Sequence, residues 1–217
     1  MHRETDKAEG QAIDMDKVDF KKTLKHLYMP SAKAFEIIEV PKMQFLKVDG
    51  AGSPGGPAYA KAVEWLYSVS YPVKFMSKKE LGRDYGVAPL EGLWWAEDMD
   101  AYITGDKDQW EWTMMIMQPD WITPEMVEAG IVKAKGKLGD PPASLRLEPY
   151  DEGLSVQIMH IGPYSEEGPT IAKLHHEFLP ANGLTETGHH HEIYIGDPRR
   201  TAPEKLKTVL RQPVRRV

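Results

Sequence analysis

The chain contains an internal repeat, and this repeat limits the possible folds more than any other feature of the sequence. Residues Gly56–Lys61 resemble Gly168–Lys173, with four identities in six positions at an offset of 112. The same offset places Glu36 on Glu148, so the similarity extends into the segments before each motif. A unit that occurs twice in one chain predicts two similar supersecondary structures that pack against each other.

A second, shorter match lies towards the end of each copy. Thr123–Met126 resembles Ala202–Lys205, and here the offset is 79. The difference between the two offsets predicts about 33 additional residues in the first copy, between its first helix and its next strand. Residues 72–108 are the expected position of this insertion.

The pattern of apolar residues predicts the same order of elements in each copy. Two strands lead through a loop rich in glycine and proline to a helix, and further strands follow. The predicted strands span 35–40, 43–48, 91–95, 98–103 and 110–118 in the first copy, and 145–150, 154–161 and 189–195 in the second. The helices are expected at 58–68 and 170–179, and each copy should close with a helix that begins at Pro124 or Pro203.

These elements predict an α+β fold made of tandem duplicated strand-helix-strand-strand units around a central ligand cleft. The two repeats would span about 35–137 and 145–213 of a single domain at 19–217. Residues 1–18 are polar and of mixed charge, and we expect a disordered leader there. The seam between two related units is a natural concave site for a small molecule.

Composition excludes several classes of function. The 217 residues carry a net charge of −6, which disfavours binding to nucleic acid. The absence of cysteine excludes disulfides, thiolate metal sites and a cysteine nucleophile. The sequence has no apolar run of the roughly 20 residues that span a membrane, and no secretory signal, so we expect a cytoplasmic protein. No phosphate-binding loop is present, and we expect no cofactor.

The predicted strand at 189–195 carries the strongest candidates for chemistry. Alternation along a strand places His190, Glu192 and Tyr194 on one face, and Ile193 and Ile195 on the other. We expect the isoleucines to face the helices, so that Glu192 and Tyr194 face the seam. A half-buried carboxylate there would serve as a general base or as a counter-ion. The alternative is a glutamate neutralised by an arginine or exposed to solvent.

Three consecutive histidines suggest zinc, but their geometry in a strand does not. His189 and His191 would share a face, whereas His190 would pair with Glu192. The sequence has no H-E-x-x-H motif and no second cluster of ligands, so we predict no metal site. The imidazoles are expected to be hydrogen-bond partners or surface residues.

Aromatic residues provide candidate walls for the cleft. Trp94 and Trp95 must point to opposite faces of their strand, so at most one can line the cleft and the other would pack in the core. Trp110 and Trp112 are expected in the core, because the second offset aligns them with histidines on the face opposite Glu192. The remaining candidates for ligand contact are Tyr71, Met115, His160 and Tyr164.

Four blocks of the sequence, 89–95, 112–119, 161–170 and 191–200, resemble the GyrI-like small-molecule-binding family. The resemblance covers about residues 19–215 and implies the duplicated strand-helix-strand-strand fold called SHS2. Relatives include ligand-sensing domains of multidrug-responsive regulators, which hold cationic aromatic compounds against a buried glutamate. The winged-helix DNA-binding region of those regulators is missing from this sequence.

The chain is most similar to the stand-alone branch of the family, some of whose members resemble cyclopropanoid cyclopropyl hydrolases. Those enzymes add water to the strained cyclopropane of DNA-alkylating compounds and so protect the cell. The resemblance places Glu192 on the family's pocket glutamate, which is thought to activate the water. It implies supporting roles for Tyr194, Trp94 and Trp95.

Three hypotheses follow for the function. The first is a hydrolase of flat, electrophilic compounds with Glu192 as general base. The second is a non-catalytic module that binds or sequesters cationic aromatic ligands, with Glu192 as counter-ion. The third is a protein-interaction role, such as shielding gyrase. The sequence leaves the ligand, the oligomeric state and any partner protein undetermined.

Overall fold

The computed structural model describes residues 16–96 and 110–217. The predicted strand at 98–103 and residues 1–15 of the predicted leader lie outside the described residues. The described strands are β1 (Glu36–Val40), β2 (Met43–Ala51), β3 (Leu90–Trp95), β4 (Glu111–Gln118), β5 (Arg146–Tyr150), β6 (Gly153–Ile161), β7 (Leu184–Glu186), β8 (His190–Tyr194) and β9 (Lys207–Arg216). They form one sheet of nine strands, and all of the strand pairs that we describe are antiparallel.

The described helices are α1 (Phe20–Thr23), α2 (Lys25–Tyr28), α3 (Pro57–Leu81), α4 (Pro124–Leu138), α5 (Gly168–Lys173) and α6 (Leu179–Ala181). A π-helical turn, Leu174–Phe178, joins α5 to α6, and short 3-10 turns lie at Tyr164–Glu166 and Pro203–Lys205. No helix in the described part of the chain is long and apolar enough to cross a bilayer.

The strand order confirms the duplication at the offset of 112. The order is β1-β6-β9-β8-β3-β4-β2-β5, and it is unchanged when β1 to β4 are exchanged with β5, β6, β8 and β9. Glu36 pairs with Gln157, and Phe45 pairs with Glu148, so the two pairings are related by that same offset. Each copy therefore lends its first strand to the other copy, and a pseudo-twofold axis passes between β3 and β8.

The prediction that Thr123–Met126 and Ala202–Lys205 are equivalent in the two copies was wrong. The symmetry of the sheet makes β8 the counterpart of β3, and β9 the counterpart of β4. The predicted closing helix at Pro203 is a three-residue 3-10 turn, and the ten-residue strand β9 follows it. Only the first copy has a true helix at this point of the sequence, α4. Proline followed by glutamate favours the first turn of any helix. The short match therefore reflects this shared preference and does not mark equivalent positions in the two copies.

Helix α3 is longer than its predicted extent of 58–68, because tertiary packing outweighs a proline. Pro72 lies inside this 25-residue helix, where it removes a backbone hydrogen bond. Val69 and Val73 on either side are fully buried, and Gly130 of α4 allows close helix contact, since a Cβ there would lie 3.0 Å from Val73 Cγ2. The helix ends at Gly82, whose positive φ of 64° forms a left-handed C-cap.

The sheet has two different faces near the axis. Tyr59 of α3 stacks on Trp94, and Leu174 after α5 packs against Val156. The strand register places Trp94 and Val156 on the same face, so both long connections lie on one side of the sheet and flank the axis. Tyr28 of α2 hydrogen-bonds on the other face, which α1 and α2 help to cover.

Candidate functional site

Glu192 lies beside the pseudo-twofold axis, directly opposite Gly92 of β3. Strand alternation places Tyr194 on the same face, as predicted, whereas Ile193 is fully buried on the other face. The expectation that Glu192 points away from the helices was wrong. Both long connections pack on the face that carries Glu192, and the cleft is the space between them.

A line of hydrogen bonds fixes the carboxylate of Glu192. Trp94 Nε1–H donates to Tyr194 Oη at 2.9 Å, and the Tyr194 hydroxyl donates to Glu192 Oε2 at 2.7 Å. Burial, followed by the Glu192 carboxylate, raises the pKa of Tyr194 well above its ordinary value. Tyr194 therefore remains a neutral donor, and it holds the carboxylate in one orientation.

Of the three histidines, His190 is the one beside Glu192. Its Nε2 lies 3.6 Å from Glu192 Oε1, which confirms the predicted pairing of these two residues. His189 stacks on Trp95 with 4.1 Å between ring centroids, and His191 is fully buried on the opposite face. The described residues contain no cluster of three or more His, Asp or Glu side chains arranged to hold a metal ion.

Aromatic side chains form the walls around this acid. Tyr59 stacks over Trp94 with 6.1 Å between ring centroids, and Tyr164 meets the edge of Tyr194 at 5.6 Å. Burial, followed by smaller contributions from Glu167 and Glu192, raises the pKa of Tyr164 to about 12. No short motif of the sequence marks Tyr59 as a residue of the cleft, and its position there follows from the fold.

Two predicted ligand contacts lie on the wrong face of the sheet. Met115 is fully buried and pairs in register with Glu91, on the face opposite Glu192. Trp95 also points to that face, where its Nε1–H donates to Glu111. The two adjacent tryptophans point to opposite faces, as predicted, and Trp94 is the one on the face of Glu192.

Two other candidates lie on the side of the sheet that carries the cleft but farther from its centre. Tyr71 is 49% exposed on α3 and stacks on Tyr67 with 6.2 Å between ring centroids. Tyr67 is influenced electrostatically by Asp197, so this part of α3 faces the loop after β8. His160 shares the face of Glu192 but lies two strands away, opposite Thr208 of β9. Neither residue touches Glu192 in this arrangement.

Trp112 is a core residue, as predicted, but for a different reason. It pairs with Trp94 and contacts Tyr59, so it shares the face of Glu192 and lies beneath the wall of the cleft. It is 1% exposed. The reasoning from the second offset failed because β4 corresponds to β9 and not to β8.

Glu167 is an acid of the cleft that the sequence analysis missed. It lies at the start of α5 and is 4% exposed, whereas its neighbour Glu166 is exposed at the surface. Burial, followed by the charge of Glu192, raises the pKa of Glu167 well above its ordinary value, and the hydroxyl of Thr208 offsets part of this. Two adjacent glutamates carry no sequence signal that tells which of them is buried.

A second network of charges lies on the reverse side of the same strands. His191 Nδ1 lies 2.8 Å from Glu152 Oε1, and its Nε2 lies 3.0 Å from Glu91 Oε2. Arg211 Nη1 donates to Glu152 at 3.0 Å, and the Tyr28 hydroxyl donates to Glu91 at 2.9 Å. Burial lowers the pKa of His191, but the two carboxylates outweigh it and raise that pKa to about 9. Two cations thus balance two carboxylates inside the protein.

The cleft at Glu192 is narrow, because aromatic rings fill it. The Glu192 side chain is only 12% exposed. Two surface grooves, of about 260 and 410 Å³, are lined by Trp121 and by residues within 16–22 and 82–89, none of which is a site residue. We therefore expect the rings of Tyr59 or Tyr164 to move when a ligand reaches Glu192.

Comparison with known proteins agrees with this arrangement. A family model described as the GyrI-like small molecule binding domain matches residues 33–215, which include every residue of the cleft. The chain belongs to the GyrI-like family. The family's description is that of a small-molecule binding domain. No curated protein matches the chain significantly.

Solved structures extend this comparison of the GyrI-like chain. An uncharacterized conserved protein from Listeria innocua is 43% identical, with a TM-score of 0.82. A hydrolase from the same organism is 42% identical, with a TM-score of 0.79. Each alignment covers 92% of this chain and 100% of the other. The C-terminal domain of EcmrR, at 12% identity and a TM-score of 0.55 over 85% of this chain and 98% of that one, shows the fold alone.

Proposed function

We propose that this GyrI-like chain adds water to strained, electrophilic, flat aromatic compounds of the cyclopropane type, and that it protects the cell in this way. The line of hydrogen bonds from Trp94 through Tyr194 to Glu192 carries the proposal, because it orients a half-buried carboxylate inside an aromatic cleft. The similarity to a protein named a hydrolase, 42% identical over its whole length, supports the class of reaction.

The chemistry asks little of the protein beyond positioning. The Tyr194 hydroxyl donates a hydrogen bond to Oε2 of Glu192, and Oε1 faces the cleft beside His190. Glu192 accepts a proton from a bound water while the oxygen of that water attacks a carbon of the strained ring. Release of ring strain supplies much of the driving force, so an oriented base with a bound water accounts for a useful acceleration.

The aromatic walls account for the shape of the substrate. Tyr59 and Trp94 lie nearly parallel, with an interplanar angle of 24°, and Tyr164 closes the opposite side against Tyr194. A planar ring system that enters as Tyr59 or Tyr164 moves aside can stack on these rings. The cleft therefore favours flat ligands over branched aliphatic ones.

The decisive variant is Glu192→Gln, which keeps the shape of the side chain but removes its basicity. We expect ligand binding, measured by tryptophan quenching, to persist while single-turnover ring opening slows by about 10²–10⁴-fold. The exposed Glu177→Gln is the matched control and should not change the rate. Unchanged single-turnover hydrolysis by Glu192→Gln, read by mass spectrometry, would contradict the proposal.

A second function is favoured by the same acidity. Glu192 lies among aromatic rings, and a carboxylate beside such rings suits a cationic aromatic ligand. In this case Glu192 is a counter-ion, the ligand leaves unchanged, and Glu192→Gln weakens binding of ethidium more than that of an uncharged planar analogue. Equal losses for the two probes would argue against sequestration of cations.

A further inference from the structure

The surroundings of Glu167 are unusual for a carboxyl group. It is buried at the start of α5, and no Lys or Arg forms an ion pair with it in the described parts of the chain. Tyr164, three residues before it, lies 5.6 Å from Tyr194 between ring centroids, and Thr208, whose hydroxyl interacts with Glu167, pairs in register with Tyr194. A second carboxylate, Glu192, acts on it electrostatically. A buried carboxyl beside another carboxylate and without a basic partner holds a proton.

We propose that Glu167 is the proton donor of the cleft, and that it works with Glu192 as an acid–base pair of carboxyl groups. This inference rests on the proposed hydrolysis and adds a second catalytic residue to it. Two like carboxyls in different surroundings divide the roles of acid and base, because only the more polar and more accessible one stays ionised. Glu192 has hydrogen-bond support from Tyr194, whereas Glu167 is the more deeply buried of the two.

The proposed step balances without a further reactant. The water oxygen forms a bond to a ring carbon, its proton passes to Glu192, and the strained carbon–carbon bond breaks. The electron pair of that bond moves through the conjugated system to a carbonyl oxygen of the substrate, which takes the proton of Glu167. The product is a phenol, and transfer of one proton from Glu192 to Glu167 restores the starting state.

The tyrosine hydroxyls around the pair do not compete for this role. The polar groups around the two glutamates are Tyr194 and His190 of β8, Tyr59 of α3, Tyr164 of the turn before α5, Thr208 of β9 and His160 of β6. Burial raises the pKa of Tyr194, Tyr59 and Tyr164, so these hydroxyls keep their protons. The raised pKa of Glu167 then makes it the acid that is protonated near neutrality.

The test compares Glu167→Gln with Glu166→Gln, which alters the adjacent exposed carboxyl. The probes are a series of spirocyclopropylcyclohexadienones whose phenol products differ in acidity. We expect Glu167→Gln to lower kcat by about 10²–10⁴-fold with little change in KM, most severely for probes that yield weakly acidic phenols. Glu166→Gln should behave as wild type. Glu167→Asp, which keeps an acid, should recover part of the rate.

The pH profile provides a readout that a structural role would not move. The wild-type rate should fall at alkaline pH as Glu167 loses its proton, and Glu167→Gln should lack that fall. Infrared spectra should show a protonated-carboxyl band in the wild type that is absent from Glu167→Gln. Identical infrared spectra of the wild type and Glu167→Gln would overturn the role of Glu167 alone. So would a wild-type rate with the same alkaline fall in Glu167→Gln, measured while Glu192→Gln is slow. Full activity of Glu192→Gln would overturn the hydrolysis itself, and this role with it.

Discussion

The hydroxyl of Tyr194 and the carboxylate of Glu192 are joined by a 2.7 Å hydrogen bond between residues two positions apart on one strand. Side chains at this spacing share a face, so β8 alone brings them together. Trp94 on the neighbouring strand then fixes the tyrosine from its other side. Local strand geometry supplies the pair, and the pairing of β3 with β8 supplies its rigidity.

Replacing Tyr194 by phenylalanine should affect both activity and stability. The change leaves the indole N–H of Trp94 without its acceptor and Glu192 without its donor. A buried polar group that loses its partner costs about 1–3 kcal/mol, so we expect the free energy of unfolding in urea to fall by that amount. Turnover should fall with it. Tyr164→Phe keeps the ring that contacts Tyr194 and serves as control; equal effects of the two variants would refute a special role for the Tyr194 hydroxyl.

Gly92→Ala should disturb the site without altering a polar group. An added Cβ would lie 2.7 Å from Trp94 Nε1 and 3.1 Å from Met114 Sδ, so the indole that donates to Tyr194 must shift. We expect turnover to decrease and tryptophan fluorescence to change. Gly136→Ala in α4 meets nothing within 4 Å and should leave activity intact while stabilising the protein by up to about 1 kcal/mol. Wild-type turnover by Gly92→Ala would show that the position of the indole does not matter.

Arg211→Met should destabilise the protein strongly. Arg211 is 1% exposed and binds Glu152, the side chain of Gln157 and the backbone carbonyl of Leu27. Removing one partner of a buried ion pair costs about 3–5 kcal/mol, because the remaining charge stays buried. Urea denaturation should show this loss, and the double variant with Glu152→Gln should regain part of it.

The exposed Arg215→Met is the control for Arg211→Met, since it changes the same side chain a few residues along β9. We expect its free energy of unfolding to stay within about 0.5 kcal/mol of the wild type. A loss as large as that of Arg211→Met would mean that any positive charge on this strand stabilises the fold, without the buried network.

Stability should fall as the pH rises through the alkaline range. The folded protein raises the pKa of His191 from 6.5 to about 9, so its protonated form is favoured by folding. This contribution is complete below the unfolded pKa of about 6.5 and is lost as the pH rises through about 9. Urea midpoints measured between these values should decline in the wild type, but much less in His191→Gln. The exposed His176→Gln should decline as the wild type does, and a flat wild-type profile would contradict the assigned charge of His191.

The sequence predicted the features that depend on short-range patterns. The match of Gly56–Lys61 with Gly168–Lys173 gave the offset of 112 that the pairings of the first two strands of each copy obey. Strand alternation grouped His190, Glu192 and Tyr194, and it showed that Trp94 and Trp95 cannot share a cleft. These predictions succeed because the direction of a side chain in a strand follows from its position alone.

The tertiary structure decided which surfaces meet. The apolar face of α3 continues past Pro72 because α4 packs against it, and the stretch around Arg211 forms a buried strand although it contains arginines and Pro213. Glu167 is buried whereas Glu166 is exposed, although the two are adjacent in the sequence. Each of these outcomes depends on residues distant in the sequence. Their packing and charge interactions contribute more free energy than the local preference of a segment for helix or strand. By itself the sequence determined a duplicated α+β unit and its glutamate; packing decided the exchanged strands, the second acid and the hydrogen bonds that orient the first.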